Sequence, residues 1–258
     1  MKKWSDEVDN KKRFSNRVEN YVKYRPSYPK KAIDFLYDEL SFAPNSMIAD
    51  VGSGTGIFTK LLLDRESQVY SVEPNQEMRE AAESSLENYK NFTSISGSAE
   101  NTTLPEKSVD FIVSAQAFHW FDLQITKQEF KRILKANGKV VLIWNNRLTE
   151  ESEFSVAYEN LLKQYANDYN EVNHQNIGHR EFNSFFSKEG YKTFTCPNYQ
   201  LFNFEQLKGR LLSSSYSPTS GDQNYEMIME KLQEIFNLYN ENGKVTFQYN
   251  TEIYYGDV

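Results

Sequence analysis

One cysteine, Cys196, in 258 residues excludes an internal disulfide and predicts a reducing, cytoplasmic setting. No apolar run approaches the roughly 18 residues that a membrane-spanning helix needs, so no membrane partner is expected. The N-terminal stretch, MKKWSDEVDNKKRFSNR, is charged from its first residues, and no apolar signal segment is expected. Basic excess is missing as well: 29 Lys and Arg stand against 36 Asp and Glu, a formal charge of −7. Proteins that grip nucleic acid usually carry a basic stripe, because neutralising phosphates supplies much of the affinity. Here the one basic cluster, Lys11, Lys12 and Arg13, is flanked by acids and reads as a solvated helix face, so nucleic acid is not expected as a partner. Neither a P-loop nor a Ser-His-Asp spacing occurs. His174 and His179 lack a second ligand pair, so no metal is expected.

The chain is 39% hydrophobic and 15% aromatic, which suits a folded core. Residues 30–42, KKAIDFLYDELSF, place Ile33, Leu36, Tyr37 and Leu40 at helical spacing. MIADV (47–51) predicts a short buried strand, followed by a helix that opens at Gly56. QVYSVE (68–73) predicts the next strand, and PNQEMREAAESSL (74–86) a helix whose Pro74 suits a helix start. Further strands are expected at 91–97 and 108–115, then a helix over 123–138 stopped by Asn137-Gly138, then KVVLIWN (139–145). Strands alternating with helices in this way predict a parallel, doubly wound sheet. After residue 145 the rhythm breaks: irregular helices over 150–190, a strand at 191–202, helices at 204–214 and 222–240, and a last alternating strand at 243–256. One sheet domain with a helical cap is the economical reading.

The stretch IADVGSGTGIFTK (48–60) sets three glycines between a strand and a helix, where a parallel sheet delivers a nucleotide-like cofactor to a helix N-terminus. The dinucleotide fingerprint is G-x-G-x-x-G, but Gly52, Gly54 and Gly56 are spaced G-x-G-x-G, and Ile57 stands where that pattern wants a small residue. Asp50 ends the first strand, and a carboxylate there suits a cofactor bearing an ammonium group better than one bearing a pyrophosphate. Glu73 ends the second strand, where an acid accepts ribose hydroxyls.

With D-V-G-S-G-T-G as first motif, V-E-P-N (72–75) as second, G-S-A-E (97–100) as third, S-V-D-F-I-V-S-A-Q-A-F-H-W (108–120) as fourth and R-I-L-K-A-N-G-K-V (132–140) as fifth, the sequence resembles the class I S-adenosylmethionine-dependent methyltransferases. The resemblance implies an α/β, doubly wound, seven-stranded Rossmann-like methyltransferase sheet, mostly parallel with an antiparallel last strand, plus a helical cap. It implies S-adenosyl-L-methionine as cofactor. Gly52, Gly54 and Gly56 would let the backbone approach it, and Asp50 would hold its ammonium. Glu73 would take the ribose hydroxyls, with Pro74 and Met78 beside the adenine and Ser98 and the Ala99 N–H at its edge. Gln116 would lie under the sulfonium side. RFSNRVENYVKYRPSYP (13–29) and AFHWFD (117–122) resemble the small-molecule branch that includes trans-aconitate methyltransferase-like proteins, as does the short LLSSSYSPTSG (211–221). That branch implies an N-terminal lid in which Tyr21, Tyr24 and Arg25 contact the cofactor carboxylate or roof the reaction centre. The implied division is 1–45 lid and helix, 46–149 cofactor-binding core, and 150–258 cap with the last two strands.

The acceptor side is read from residues near the carboxyl ends of the strands and in the cap. His119 is a candidate base and Arg147 a candidate catalytic or carboxylate-binding group; Trp120, Arg180 and Tyr216 are candidate acceptor contacts. The expected activity is methyl transfer to a small-molecule acceptor, a carboxylate among the candidates. Two alternatives stay open: a protein that binds the cofactor without turnover, and a nicotinamide-dependent oxidoreductase. The oligomeric state is left open.

Overall fold

The computed structural model describes residues 17–167, 169 and 178–258. The basic cluster Lys11–Arg13, Phe14 and His174 lie outside the described residues. The chain opens with α1 (Val18–Tyr24) and α2 (Lys30–Asp38), whose apolar stripe Ala32, Ile33 and Leu36 is buried. The alternating part comes next: β1 (Met47–Val51), α3 (Ile57–Leu63), β2 (Gln68–Val72), α4 (Gln76–Leu86), β3 (Phe92–Ile95) and β4 (Val109–Ala115). A single turn at Phe118–Trp120 leads to α5 (Leu123–Ile133) and β5 (Leu134–Arg147). Then come α6 (Glu153–Tyr165), α7 (His179–Phe185), β6 (Lys192–Phe202), α8 (Phe204–Leu212), α9 (Tyr225–Tyr239) and β7 (Val245–Gly256).

The strands form one seven-stranded sheet in the order β3-β2-β1-β4-β5-β7-β6. The first five pair in parallel, and β7 enters antiparallel between β5 and β6. The strand order reverses between β1 and β4, so their carboxyl ends flank the crevice where open α/β sheets bind ligands. This is the doubly wound, seven-stranded sheet expected, with its last strand reversed.

The period of β1 sorts its side chains. Ile48 faces a core with α2, α3 and α4 that includes Leu36, Leu62 and Leu86, while Ala49 and Val51 face an opposite core with Phe130, Ile133, Phe182 and Phe185 of α5 and α7. A third cluster joins α6, α8 and α9 to the far ends of β6 and β7 through Phe202, Val245, Phe247 and Tyr249. One antiparallel pair thus serves two cores: Cys196 and Ile253 pack in the sheet, and the same strands run on as the floor of the cap.

Helix α5 ends at Ile133 rather than 138, and the next strand begins at Leu134 rather than 139. Leu134 already pairs with Val109, and the N–H groups of Lys107 and Ser108 bond the carbonyls of Arg132 and Ile133. Tertiary pairing to β4 therefore captures the last turn that local sequence would have spent on helix. Asn137, in a left-handed conformation (φ 68°), turns the chain inside β5 instead of ending a helix.

Candidate functional site

Two adjoining hollows open at the carboxyl ends of β1, β2 and β4. The larger, open to solvent, spans about 870 Å³ and is lined by Gly54, Glu73, Pro74, Met78, Ser98 and Ala99, among others. The smaller, also open to solvent, spans about 450 Å³, with Arg25, Asp50, Ser53 and Thr55 on its wall. Tyr21, Gly52, Ala115 and Gln116 line both, so the two form a single bent cleft.

Each wall residue is set by a local device. The glycine loop runs through left-handed conformations, with Gly54 at φ 57°. A Cβ there would meet only Met78 Sδ at 3.9 Å and Tyr21 at 4.0 Å, so it would project into the cleft. The Gly54 N–H donates to Glu73 Oε2 and the Asn75 N–H to Oε1, both at 2.8 Å, which fixes the carboxylate across the loop. Burial lifts Glu73 above the usual carboxylate range, and those two backbone bonds oppose the lift. Asn75 caps α4 by accepting from the Met78 N–H at 2.9 Å, which holds Met78 against the cleft.

Asp50 is fully buried. Thr59 Oγ1 donates to its Oδ2 at 2.6 Å, while Oδ1 has no partner among the described residues. Burial pushes its carboxyl up to about 7, with Glu73 adding to the lift and the Thr59 bonds opposing it. Thr55 Oγ1 is likewise buried and without a partner among the described residues. A buried polar atom without a partner carries a desolvation penalty that a bound polar group relieves.

Gln116, a side-chain-bearing residue at φ 62°, comes directly after β4. Its N–H bonds the Ile143 carbonyl at 2.9 Å and its amide donates to the Asn145 carbonyl at 3.3 Å. The left-handed backbone aims the chain away from the sheet and sets Ala117, Trp120 and Phe121 on the cleft wall. Ser98 and Ala99 sit on the opposite wall; the Ser98 N–H is already committed to the Asn101 carbonyl at 3.0 Å.

Of the cofactor residues expected from sequence, Tyr21, Gly52, Gly54, Glu73, Pro74, Met78, Ser98, Ala99 and Gln116 line the larger hollow, and Arg25 and Asp50 the smaller. Gly56, at φ 80°, lines neither; a Cβ there would run into Leu86 and Ala82, so it lets the loop close onto α4. Tyr24 turns away from the cleft: its ring lies against Gly209 of α8. Trp120 reaches the wall. His119 does not; it is half-buried with its ring 4.7 Å from that of Trp120.

Arg147 is held inside the cap, its Nη2 donating to Glu159 Oε2 at 2.5 Å and its guanidinium 5.0 Å from the Tyr158 ring. Tyr216 lies beside it, with its ring 4.8 Å from that of Tyr169, which also bonds Glu159. Arg180 is not brought to this group. Phe182 and Phe185 anchor α7 against Phe118 in the opposite core, leaving Arg180 exposed on the outer side. Sequence reading missed Arg210, which is buried beside Tyr216. Its signal was position: in LKGRLL it occupies an apolar place on α8, between the buried Leu207 and Leu211. Among the described residues, no group of three or more His, Cys, Asp or Glu is arranged to hold a metal, and no helix is long and apolar enough to cross a membrane.

Comparison with known proteins places these features in context. Residues 49–142 match the family described as Methyltransferase domain. An uncharacterized methyltransferase-like protein of Schizosaccharomyces pombe is 34% identical over 137 residues, 53% of this chain and 52% of that protein. An uncharacterized methyltransferase of Mycobacterium bovis is 36% identical over 134 residues, 52% of each. The chain thus spans about half the length of the curated relatives it matches. The fold is shared with a crystal structure from Anabaena variabilis, assigned as a methyltransferase of an antibiotic biosynthesis pathway. The TM-score is 0.65 at 22% identity, covering 92% of this chain and all of that one.

Proposed function

The chain belongs to the class I S-adenosylmethionine-dependent methyltransferases, and from that premise we propose that it transfers a methyl group from S-adenosylmethionine to a small-molecule acceptor. The observation that carries the reading is the bent cleft, in which the ribose acid Glu73 and the unpartnered oxygen of Asp50 are joined by one glycine loop. The fit is chemical at both ends. Glu73 has one backbone bond on each oxygen and keeps further acceptor capacity for two hydroxyls. Asp50 Oδ1 offers a buried acceptor for an ammonium, and Thr55 and Arg25 offer donors for a carboxylate in the same hollow.

When bound, S-adenosylmethionine supplies a sulfonium-activated methyl carbon for in-line displacement. The chain's residues hold and orient. Met78, Pro74 and Ala99 wall the apolar base, with Ser98 at its edge. Gln116 and Trp120 border the side open to an acceptor. Tyr21 of α1 lies across both hollows and serves to exclude water, a condition that strengthens every polar contact within. The chief contribution is then proximity: acceptor and methyl kept in contact in a dry site.

Isothermal titration with S-adenosylhomocysteine, S-adenosylmethionine and NAD tests the reading. Micromolar binding of the first two and none of the third is expected; binding of NAD alone would return the chain to the oxidoreductases. Turnover of a radiolabelled methyl group with a metabolite extract separates an enzyme from a protein that only binds the cofactor.

A further inference from the structure

Helix α3 buries Phe58, Leu62, Leu63 and, among these apolar side chains, the hydroxyl of Thr59. A β-branched residue is a poor helix former, and a buried hydroxyl is costly unless it is hydrogen-bonded. Thr59 is wholly buried and commits its hydroxyl to one bond, from Oγ1 to Asp50 Oδ2 at 2.6 Å. Topology brings the two residues together. Asp50 lies on the same face of β1 as Ile48, the face that α3 covers. The glycine loop then turns the chain back, so that the first turn of α3 stands beside the end of the strand.

That bond makes the two carboxylate oxygens unequal. Oδ2 is occupied by a donor, while Oδ1 is buried without a partner among the described residues. A proton and an ammonium therefore compete for one atom, Oδ1. The surroundings favour the proton: burial disfavours the charged form, and Glu73 adds to this from the end of β2. The Thr59 hydroxyl and backbone N–H oppose both by favouring the ionised carboxylate. Tyr21, Arg25 and Tyr28 are the other titratable groups on the wall of this hollow.

We propose that Thr59 is a positioning residue for the amino-acid end of the cofactor: its hydroxyl anchors Asp50 Oδ2 and so reserves Oδ1 for the ammonium in place of a proton. The proposal rests on the methyltransferase reading above. Thr59 acts through Asp50 and lines neither hollow itself. Without the hydroxyl, the carboxyl group would be free to turn about its last torsion, and a proton would be held on either oxygen. A neutral acid in that position gives an ammonium no counter-charge. Thr59→Val isolates the effect, because it keeps the branched shape and the backbone N–H and removes only the O–H.

The full chain is titrated calorimetrically with S-adenosylhomocysteine and with 5′-methylthioadenosine, below, at and above about pH 7. The second ligand keeps the adenosine and the thioether but lacks the ammonium and carboxylate, so any pH dependence it shows reports Glu73 rather than Asp50. Thr59→Val should bind S-adenosylhomocysteine about tenfold more weakly at neutral pH, and the loss should shrink as pH rises. Its affinity for 5′-methylthioadenosine should be that of the wild type. Thr59→Ser keeps the hydroxyl and should retain the wild-type pH profile. Thr59→Ala, a better helix former that also lacks the hydroxyl, carries the test if Thr59→Val does not fold. Wild-type affinity for S-adenosylhomocysteine in the folded variant without the hydroxyl would overturn the positioning role. So would equal losses for the two ligands, a loss that is constant across pH, or a Thr59→Ser variant that loses as much as Thr59→Val. A wild type that binds neither ligand would overturn the methyltransferase reading instead.

Discussion

Glu73 has both carboxylate oxygens engaged by backbone N–H groups before any ligand arrives, so it is oriented in advance rather than on binding. Removing it should therefore cost affinity without loosening the sheet. Glu73→Ala loses charge-assisted hydrogen bonds worth about 1.5–3 kcal/mol each, so S-adenosylhomocysteine affinity should fall roughly tenfold or more. Isothermal titration on a variant with unchanged circular dichroism makes the measurement, and wild-type affinity would remove Glu73 from the site. His119 gives the opposite expectation. It is packed beside Trp120 and is not on the cleft wall. His119→Ala should lower turnover by less than the roughly hundredfold that loss of a general base brings. A pH–rate profile that loses an acid limb near the ordinary histidine range in the variant would show instead that His119 is the base.

At the scale of elements, α1 is the piece that links cofactor cleft and cap. Arg17 donates to the carbonyls of Leu212 at 3.0 Å and Ser217 at 2.6 Å, and Arg25 to that of Ser213, so both ends of the helix are tied to the serine turn after α8. Between them, the Tyr24 ring lies so close to Gly209 that any Cβ there would overlap it. In a free helix Gly→Ala would stabilise by about 0.5–1 kcal/mol. Gly209→Ala should destabilise here, by about 1–3 kcal/mol of overpacking, because α1 must move off α8. The same variant should speed tryptic cleavage after Lys23, while S-adenosylhomocysteine should slow it in the wild type, since Tyr21 of α1 lines the cleft. Cleavage that is indifferent to both would show that α1 is not a lid.

These links also mark how far the sequence could be read. The placement of the glycine loop, Asp50 and Glu73 on one cleft was legible because it depends on spacing within one strand–helix–strand unit, and the sheet is dictated by that repeated alternation. The contact of Arg25 with Ser213 spans 188 positions and has no local signal. Arg180 was misplaced for the same reason: its segment reads as helix, but which core that helix joins is decided by Phe182 and Phe185 meeting Phe118 from another part of the chain. Arg210 was hidden by being an arginine on an apolar face, where long charged side chains usually extend to water.

Across the whole molecule, two sets of carboxylates oppose each other in their response to pH. Asp50, pushed up to about 7, and Glu73, also raised, hold protons more tightly folded than unfolded, burial being the main cause in both. Through them the fold loses stability as pH rises from the ordinary carboxylate range towards about 7. Glu129 and Glu159 behave in the reverse sense. Burial works against their ionised forms, yet Arg132 and Thr102 on the first, and Tyr169 and Arg147 on the second, hold them below the ordinary value. Their contribution is present above the unfolded pKa and is lost as pH falls through the folded one. The ligand-free protein should thus be most stable near the ordinary carboxylate range and should lose stability from there towards about 7. An ammonium paired with Asp50 favours the ionised carboxylate, so S-adenosylhomocysteine should bind more tightly as pH rises through about 7 and should shift the stability maximum towards neutral. Asp50→Asn should abolish the shift while leaving the acid limb set by Glu129 and Glu159. Scanning calorimetry over a pH series, with and without ligand, reads both effects. A stability maximum at the same pH in the two series would show that Asp50 does not meet the ammonium.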